Sequence, residues 1–248
     1  MKLGNIEIEN AYIGGDEVTR MYLGSYEVFA ASSGSPVPPE PPAPDYSAMP
    51  FTIEALGSGV LNFGTTNRYL DRQFYYSVNG GTQQLLTTTG SDKSISLVLE
   101  EGDTVEFTVP ANKNGTSDGT GFMMFQNSTC NFKAYGNIMS LCYVDYINNS
   151  TLPGNNTFRR LFDGCSHLKS VENLVMPSKT LTANCYRSMF SFTEISYIKC
   201  LATDISASNC LANWLSSVSS TGTFVKDANT TWPSGENGIP TGWAVVDV

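Results

Sequence analysis

Apolar and polar residues alternate over several short runs between Phe51 and Pro110, which is the period expected of β-strands with one buried face. Turn-forming residues separate these runs, and a regular series of short strands and turns is typical of a small immunoglobulin-like β-sandwich. We predict such a domain over residues 49–112. The strand-like runs are 51–56, 73–78, 94–99 and 104–109, and further strands are predicted at 122–125, 130–135 and 137–144.

The second half of the chain repeats a different apolar pattern. Phe158-Arg-Arg-Leu-Phe162 is echoed by Tyr186-Arg-Ser-Met-Phe190 and by Leu211-Ala-Asn-Trp-Leu215, at shifts of 28 (162 to 190) and 25 (189 to 214). Apolar residues three and four positions apart predict a short helix of about two or three turns in each copy. Extended runs at 169–171 and 196–198 predict a short strand after each of the first two copies. Periods of about 20 to 30 residues are typical of solenoids, so a short α/β repeat part is predicted.

A smaller repeat lies at the start of the chain. Tyr12-Ile-Gly-Gly-Asp-Glu-Val18 returns ten positions later as Tyr22-Leu-Gly-Ser-Tyr-Glu-Val28, and each copy predicts a tight β-hairpin with Gly14-Gly15 or Gly24-Ser25 at its bend. A piece of about 30 residues buries little surface by itself, so we expect residues 1–31 to anchor the chain to a partner or to oligomerise. The alternative is an ordinary edge hairpin of the next domain. The candidate anchoring residues are Tyr12, Ile13, Val18, Tyr22, Leu23 and Val28.

Prolines dominate the segment that follows. Residues 36–44 hold six of the twelve prolines in the chain. Proline fixes φ and favours an extended polyproline II conformation, so residues 32–48 are predicted to be a semi-rigid, Pro-rich stalk. A proline-rich ligand for a recognition domain is the functional alternative.

The repeat motifs resemble a known family. The segments 161–168 and 174–190 are similar to the repeats of the BspA-like leucine-rich-repeat proteins of Bacteroidales and of the crAss-like bacteriophages that infect them. The segments 197–210, 222–226 and 237–243 resemble the terminal unit and cap of that family. The resemblance implies a short, degenerate leucine-rich-repeat solenoid with a C-terminal cap over residues 113–248. The N-terminal hairpin motif is also similar to short segments of phage tail and fibre proteins.

Composition and charge exclude two classes of partner. Fourteen basic residues against 23 acidic ones give a net charge of −9, and no cluster of Lys and Arg is present to contact phosphates, so nucleic acid is not expected as a partner. No stretch reaches the roughly 18 apolar residues of a membrane helix, so membrane insertion is not expected either. The first ten residues carry charges where a signal peptide would be apolar, so we expect no signal peptide and synthesis of the chain in the host cytoplasm.

The chain offers few groups for catalysis, and we predict no catalytic, cofactor-binding or metal-binding residue. His167 is the only histidine and lies in a predicted turn between repeats. The six cysteines, 130, 142, 165, 185, 200 and 210, contain no C-x-x-C pair, so they are predicted to be buried apolar residues, with disulfides between neighbours left open.

Two other features admit a functional interpretation beside a structural one. Glu100-Glu-Gly-Asp103 lies between two strand-like runs and is predicted to be a hairpin turn, with a Ca²⁺ site as the alternative. Tyr186 and Trp214 could stack on a glycan, but their repeat positions favour burial in the core.

These observations favour a non-enzymatic structural protein of a phage virion, a head or tail fibre or a decoration protein. Residues 1–31 would bind a capsid or tail protein, the stalk would hold the body away from the particle, and the C-terminal half would bind a host surface protein or glycan. We expect a homo-oligomer located on the virion. The alternative is a BspA-like adhesin on the Bacteroidales cell surface, and a carbohydrate-active enzyme is a third class that would need two convergent carboxylates.

Overall fold

The computed structural model divides the chain into two units, Met1–Pro44 and Asp45–Val248, which are described separately below. The described residues are 2–3, 6–7, 12–13, 16–17, 20–23, 26–30, 42–65, 72–88, 93–110 and 123–248. Most of the Pro-rich segment therefore lies outside the described residues, as does the polar loop 111–122.

The described residues of the first unit form three antiparallel strand pairs. They are β1 (Lys2–Leu3) with β2 (Ile6–Glu7), β3 (Tyr12–Ile13) with β4 (Asp16–Glu17), and β5 (Arg20–Leu23) with β6 (Tyr26–Ala30). The last two pairs lie where the Gly-centred hairpins are predicted. Two-residue connections containing Gly favour antiparallel pairing of the strands on either side, and both pairs are antiparallel.

The second unit is also mainly β, with thirteen strands among its described residues. None of its described helices is long and apolar enough to cross a membrane. The strands are β7 (Phe51–Ala55), β8 (Gly59–Thr65), β9 (Arg72–Val78), β10 (Gln84–Thr88), β11 (Lys93–Leu99), β12 (Thr104–Thr108), β13 (Met123–Phe125), β14 (Phe132–Asn137), β15 (Leu168–Ser170), β16 (Leu174–Val175), β17 (Tyr197–Lys199), β18 (Thr223–Lys226) and β19 (Ala244–Asp247).

Two sheets form the first part of this unit. One has the strand order β10-β9-β12-β7-β14-β15, with β16 also pairing with β14, and the other has the order β11-β8-β13. Burial alternates along β12 and β14, as the sequence pattern predicts. The buried rings of Phe107 from the first sheet and of Phe63 and Phe125 from the second meet edge to face, with centroids 5.0 and 5.6 Å from the Phe107 centroid. This aromatic cluster packs the two sheets together.

The domain boundary predicted at residues 112/113 does not separate two bodies. β13 pairs with β8, and β14 pairs with β7 over four residue pairs, so strands from both sides of the boundary share the same sheets. The physical reason is that β7 hydrogen-bonds β12 on one edge and β14 on the other. β8 and β10 are additional strands that the sequence pattern did not predict.

The strand predicted over 137–144 is wrong, because a 3₁₀ helix occupies Ile138–Leu141. The Asn137 side chain accepts a hydrogen bond from the Met139 N–H at 3.0 Å and begins the helix. The buried Ser140 hydroxyl accepts from the Phe51 N–H and donates to the Phe107 carbonyl, each at 2.8 Å. These bonds fix the helix against the ends of two neighbouring strands.

The short helices predicted in the repeats are also wrong. Residues 156–165, 184–193 and 209–218, here called the first, second and third turn segments, consist of consecutive hydrogen-bonded turns. A residue with positive φ recurs every four positions within each segment. Such residues interrupt the uniform backbone of a helix. Those residues are 156, 160 and Gly164 in the first segment, 184, 188 and 192 in the second, and 209, 213 and 217 in the third.

Hydrogen bonds join the turn segments side by side. Alternate N–H groups of the first segment donate to carbonyls of the second, for example from Phe158 to Cys185 at 2.8 Å, and the second segment donates to the third in the same way, for example from Tyr186 to Cys210 at 2.9 Å. The intervening N–H groups donate three residues back within their own segment. Both sets of donors are thereby satisfied without a helix.

Aromatic side chains stack across the same three segments. The ring planes of Phe158, Tyr186 and Trp214 are inclined by 23° and 15° in succession, and those of Phe162 and Phe190 by 14°. Phe162 also stacks on Phe125, at 5.3 Å between centroids. The core of the sheets therefore continues into the core of the turn segments.

Parallel strands accompany the turn segments. β14 pairs with β15, and β17, β18 and β19 form a separate parallel sheet. Within the described residues no ladder joins β15 or β16 to β17. The parallel pairing is thus interrupted between β16 and β17, and beyond these strands a single parallel bridge joins Thr180 to Asp204.

Candidate functional site

The predicted anchoring residues lie on the hairpins of the first unit. Tyr12 and Ile13 form β3, where they pair with Glu17 and Asp16, and Tyr22 and Leu23 lie at the equivalent positions of β5, where they pair with Glu27 and Tyr26. The register of β5 with β6 shifts between the Met21–Phe29 and Tyr22–Glu27 pairs, and Val28 of β6 lies at this shift. Val18 lies outside the described residues. Tyr12 and Tyr22 therefore both pair with a glutamate, and Ile13 and Leu23 occupy the strand positions that follow them.

A groove opens in the second unit where the parallel arrangement is interrupted. Its volume is about 360 Å³, which is within the usual range of small-molecule sites. Residues 172–177, which include β16, line one part, and Lys199 at the end of β17 lines another. The remaining lining residues are Tyr46, Lys179 and Leu201.

Local contacts fix the aromatic and basic side chains of this groove. The Tyr46 ring packs edge-on against Tyr135, with 5.6 Å between centroids and 74° between planes. The Lys179 ammonium donates a hydrogen bond to the Leu201 carbonyl at 3.0 Å. This bond joins the residues that precede the second turn segment to those that precede the third. A lysine ammonium has three donors, so Lys179 keeps two for a ligand.

The chain begins its second unit beside this groove with a fixed turn. The Asp45 carboxylate accepts hydrogen bonds from the Ser47 hydroxyl at 2.6 Å and the Ser47 N–H at 3.0 Å. These two bonds lower the pKa of Asp45. Because Tyr46 lies inside this turn, its backbone is held by the same contacts.

Charge pairing distinguishes the groove lysines from other basic residues. Lys133 pairs with Glu54 at 2.9 Å, Lys226 with Asp247 at 2.7 Å, and Lys169 with Glu194. Among the described ion pairs, none involves Lys179 or Lys199. The groove is therefore lined by two lysines that take part in no described ion pair, on a chain whose net charge is −9.

The acidic segment 100–103 is a turn, but it does not close a hairpin. It connects β11 to β12, and these strands belong to different sheets. Asp103 accepts hydrogen bonds from the Glu100 N–H and the Asn79 side-chain amide, each at 2.8 Å, and these bonds lower the pKa of Asp103. Within the described part of the chain, no group of three or more His, Cys, Asp or Glu side chains could hold a metal ion.

The other residues singled out in the sequence have structural surroundings. His167 lies between the first turn segment and β15, with its Nδ1 3.0 Å from the Asn131 side-chain oxygen. Tyr186 and Trp214 are both fully buried, which confirms the core interpretation and leaves neither ring accessible to a glycan. All six cysteines are buried as predicted.

Burial also makes the thiols poor nucleophiles. It raises the pKa of Cys165, Cys185 and Cys200 to about 12. A thiol with that pKa is ionised to roughly one part in 10⁴ at pH 8, and the thiolate is the reactive form. We therefore expect iodoacetamide at pH 8 to label these three cysteines in guanidinium but not in the folded protein, as read by peptide mass spectrometry.

An exposed thiol provides the control for this prediction. Ser150 is exposed, so the Ser150→Cys variant should be labelled at once in the folded state. Rapid labelling of Cys165, Cys185 or Cys200 in folded protein would contradict the burial of the repeat core.

Comparison with known proteins gives no relative: no family model, curated protein or solved structure matches the chain.

Proposed function

We propose that this chain is a non-enzymatic structural protein of a phage virion, a head or tail fibre or a decoration protein that displays a binding module. The observation that carries the proposal is the division into a small unit of strand pairs, Met1–Pro44, and a larger unit, Asp45–Val248. A small unit that buries little surface by itself suits attachment to another protein. The larger unit, with its continuous aromatic core, suits display.

Under this proposal the hairpins bind a capsid or tail protein, and the Pro-rich residues that precede the Asp45–Ser47 turn act as the stalk. The matching register of Tyr12 and Tyr22, and of Ile13 and Leu23, supports a repeated contact with the particle. The chain would act as a homo-oligomer on the virion. Repeated contacts and several copies both raise attachment strength through effective concentration.

The proposed displayed body combines an immunoglobulin-like β-sandwich with a short, degenerate leucine-rich-repeat solenoid. The two facing sheets support the first assignment, and the three hydrogen-bonded turn segments with the parallel strands that accompany them support the second. A host surface protein or glycan would bind the C-terminal half. The groove with its two lysines is the surface best suited to that contact.

The test is immunogold electron microscopy of an infected culture with an antibody against residues 49–248. We expect gold on particles that carry the full chain, and loss of that gold when residues 1–31 are deleted. A deletion of residues 32–41, which removes stalk but no strand of the hairpins, is the matched control and should leave the particles labelled. Circular dichroism of both purified variants would establish that the larger unit still folds.

The second candidate is a BspA-like adhesin on the Bacteroidales cell surface, which the resemblance of the repeats also favours. The same experiment separates the two. Gold on the envelope of uninfected cells would overturn the virion proposal and support the adhesin.

A further inference from the structure

We propose that the groove between β16 and β17 binds an acidic saccharide, through a carboxylate on a sugar ring. This inference rests on the proposed function, because it names the ligand class of the displayed body. The groove is formed by residues 172–177, Lys179, Lys199, Leu201 and Tyr46.

The position of the groove follows from the topology. β16 is held by β14 on one side, and β17 is held by β18 on one side, while no described ladder connects β16 to β17. Two strand ends from neighbouring repeats therefore border an opening instead of a closed sheet. The opening is held at both borders by hydrogen-bonded strands, so its shape is largely formed before a ligand arrives.

The charge of the groove lining favours an anionic ligand. Lys179 and Lys199 line the groove with one carboxylate, Glu172, so the lining carries a net charge of +1. Lysines 133, 169 and 226 are already paired with acidic side chains. An anion entering the groove gains charge-assisted hydrogen bonds without breaking an ion pair.

The remaining lining selects a saccharide over a simple anion. Leucines 174 and 201, Val175, Met176 and Pro177 supply apolar surface, and the Tyr46 ring provides a flat aromatic face on a fixed turn. Glu172 and Asn173 supply acceptors for ring hydroxyls. A sugar acid has an apolar ring face, hydroxyl donors and one carboxylate, and so matches each part of this lining. A small inorganic anion would leave the apolar surface uncovered.

The test compares two trisaccharides whose carboxyl groups are either charged or converted to neutral methyl esters. Isothermal titration of the purified full chain with trigalacturonate should give binding, and the fully methyl-esterified trisaccharide should bind at least about tenfold more weakly because it lacks the charged acceptor. Raising the salt concentration from 50 to 500 mM should weaken binding of the acid form, since exposed ion pairs are screened. Inorganic sulfate at the same concentrations is the third arm.

Variants then assign the binding to the groove. Lys199→Gln and Lys179→Gln should each weaken trigalacturonate binding about tenfold. Tyr46→Ala should weaken both trisaccharides, because the ring contacts the sugar and not its charge. Lys169→Gln removes the same charge from β15 outside the groove and should leave binding unchanged.

Each contrary outcome is informative. Absence of trigalacturonate binding, equal binding of the ester, or equal losses in the Lys169→Gln and Lys199→Gln variants would overturn the acidic saccharide site. Sulfate binding as tight as trigalacturonate would show a general anion site and would overturn it as well. Particle labelling does not depend on these variants, so failure of the groove is separable from failure of the virion proposal.

Discussion

The Trp214→Ala variant is expected to lose about 3–5 kcal/mol of unfolding free energy, the cost of deleting a fully buried large aromatic side chain. Trp214 is 0% exposed and stacks between Tyr186 at 6.2 Å and Trp232 at 5.5 Å. Its indole N–H donates to the Gly238 carbonyl at 2.8 Å. Alanine would leave a cavity and an unpaired buried acceptor at the junction of the third turn segment and the C-terminal residues. Urea unfolding followed by circular dichroism measures the loss.

Trp243 offers a matched control for this prediction. Its indole N–H also donates to a backbone carbonyl, that of Ser219, at 2.8 Å, and its side chain is 7% exposed. No aromatic stacking partner of Trp243 is found among the described residues. Trp243→Ala should therefore lower the free energy of unfolding less than Trp214→Ala does. Trp214→Phe keeps a ring in the stack and should lower it less than either alanine variant. An equal or larger loss in Trp243→Ala would contradict the importance of the stack.

The Gly136→Ala variant is expected to lose about 3–5 kcal/mol of unfolding free energy, because backbone strain and a steric clash add together. Gly136 has φ +81°, and a Cβ there would lie 2.0 Å from the Pro50 carbonyl oxygen and 3.2 Å from that of Met49. Both are backbone atoms that cannot rotate away. Residues 49–50 would have to move away from the end of β14, where the Asn137 N–H donates to the Met49 carbonyl at 2.9 Å.

Gly102 separates the two contributions. Its φ is +86°, yet a Cβ there would meet nothing within 4 Å. Gly102→Ala should therefore lower the free energy of unfolding through backbone strain alone, by about 1–2 kcal/mol. Thermal and urea unfolding of both variants would give the difference. If the two variants were equally stable, the close approach of Pro50 to Gly136 would not exist in solution.

The alternating strands were predictable because burial on one face leaves a period of two in the sequence. β7, β9, β11, β12 and β14 all carry that pattern. β8 was missed because it begins at Gly59 and contains Gly64, and glycine is depleted in strands. The 3₁₀ helix at Ile138–Leu141 was missed because all four of its residues are buried, so no alternation of apolar and polar residues marks a face.

The turn segments were predicted as helices for a different reason. Apolar residues three and four apart point the same way in a helix, and they do so equally in a series of turns that restarts every four residues. Asn184 and Asn209 are residues that tolerate positive φ and offered a signal, but Arg160 and Phe192 did not. The groove carried no local signal at all, because Lys179 and Lys199 lie 20 positions apart and meet only through the fold (from 179 to 199).

The side-by-side hydrogen bonding of the turn segments bears on how this protein can change in length over evolution. The second segment offers carbonyls to the first and N–H groups to the third, so a duplicate of it would find complementary neighbours on both sides. Connections of different length are already tolerated, since the two shifts differ (28 against 25). Each added copy would extend the body by about 4.8 Å, the spacing of hydrogen-bonded strands. Gene duplication within this region could thus set the reach of the protein without altering either end.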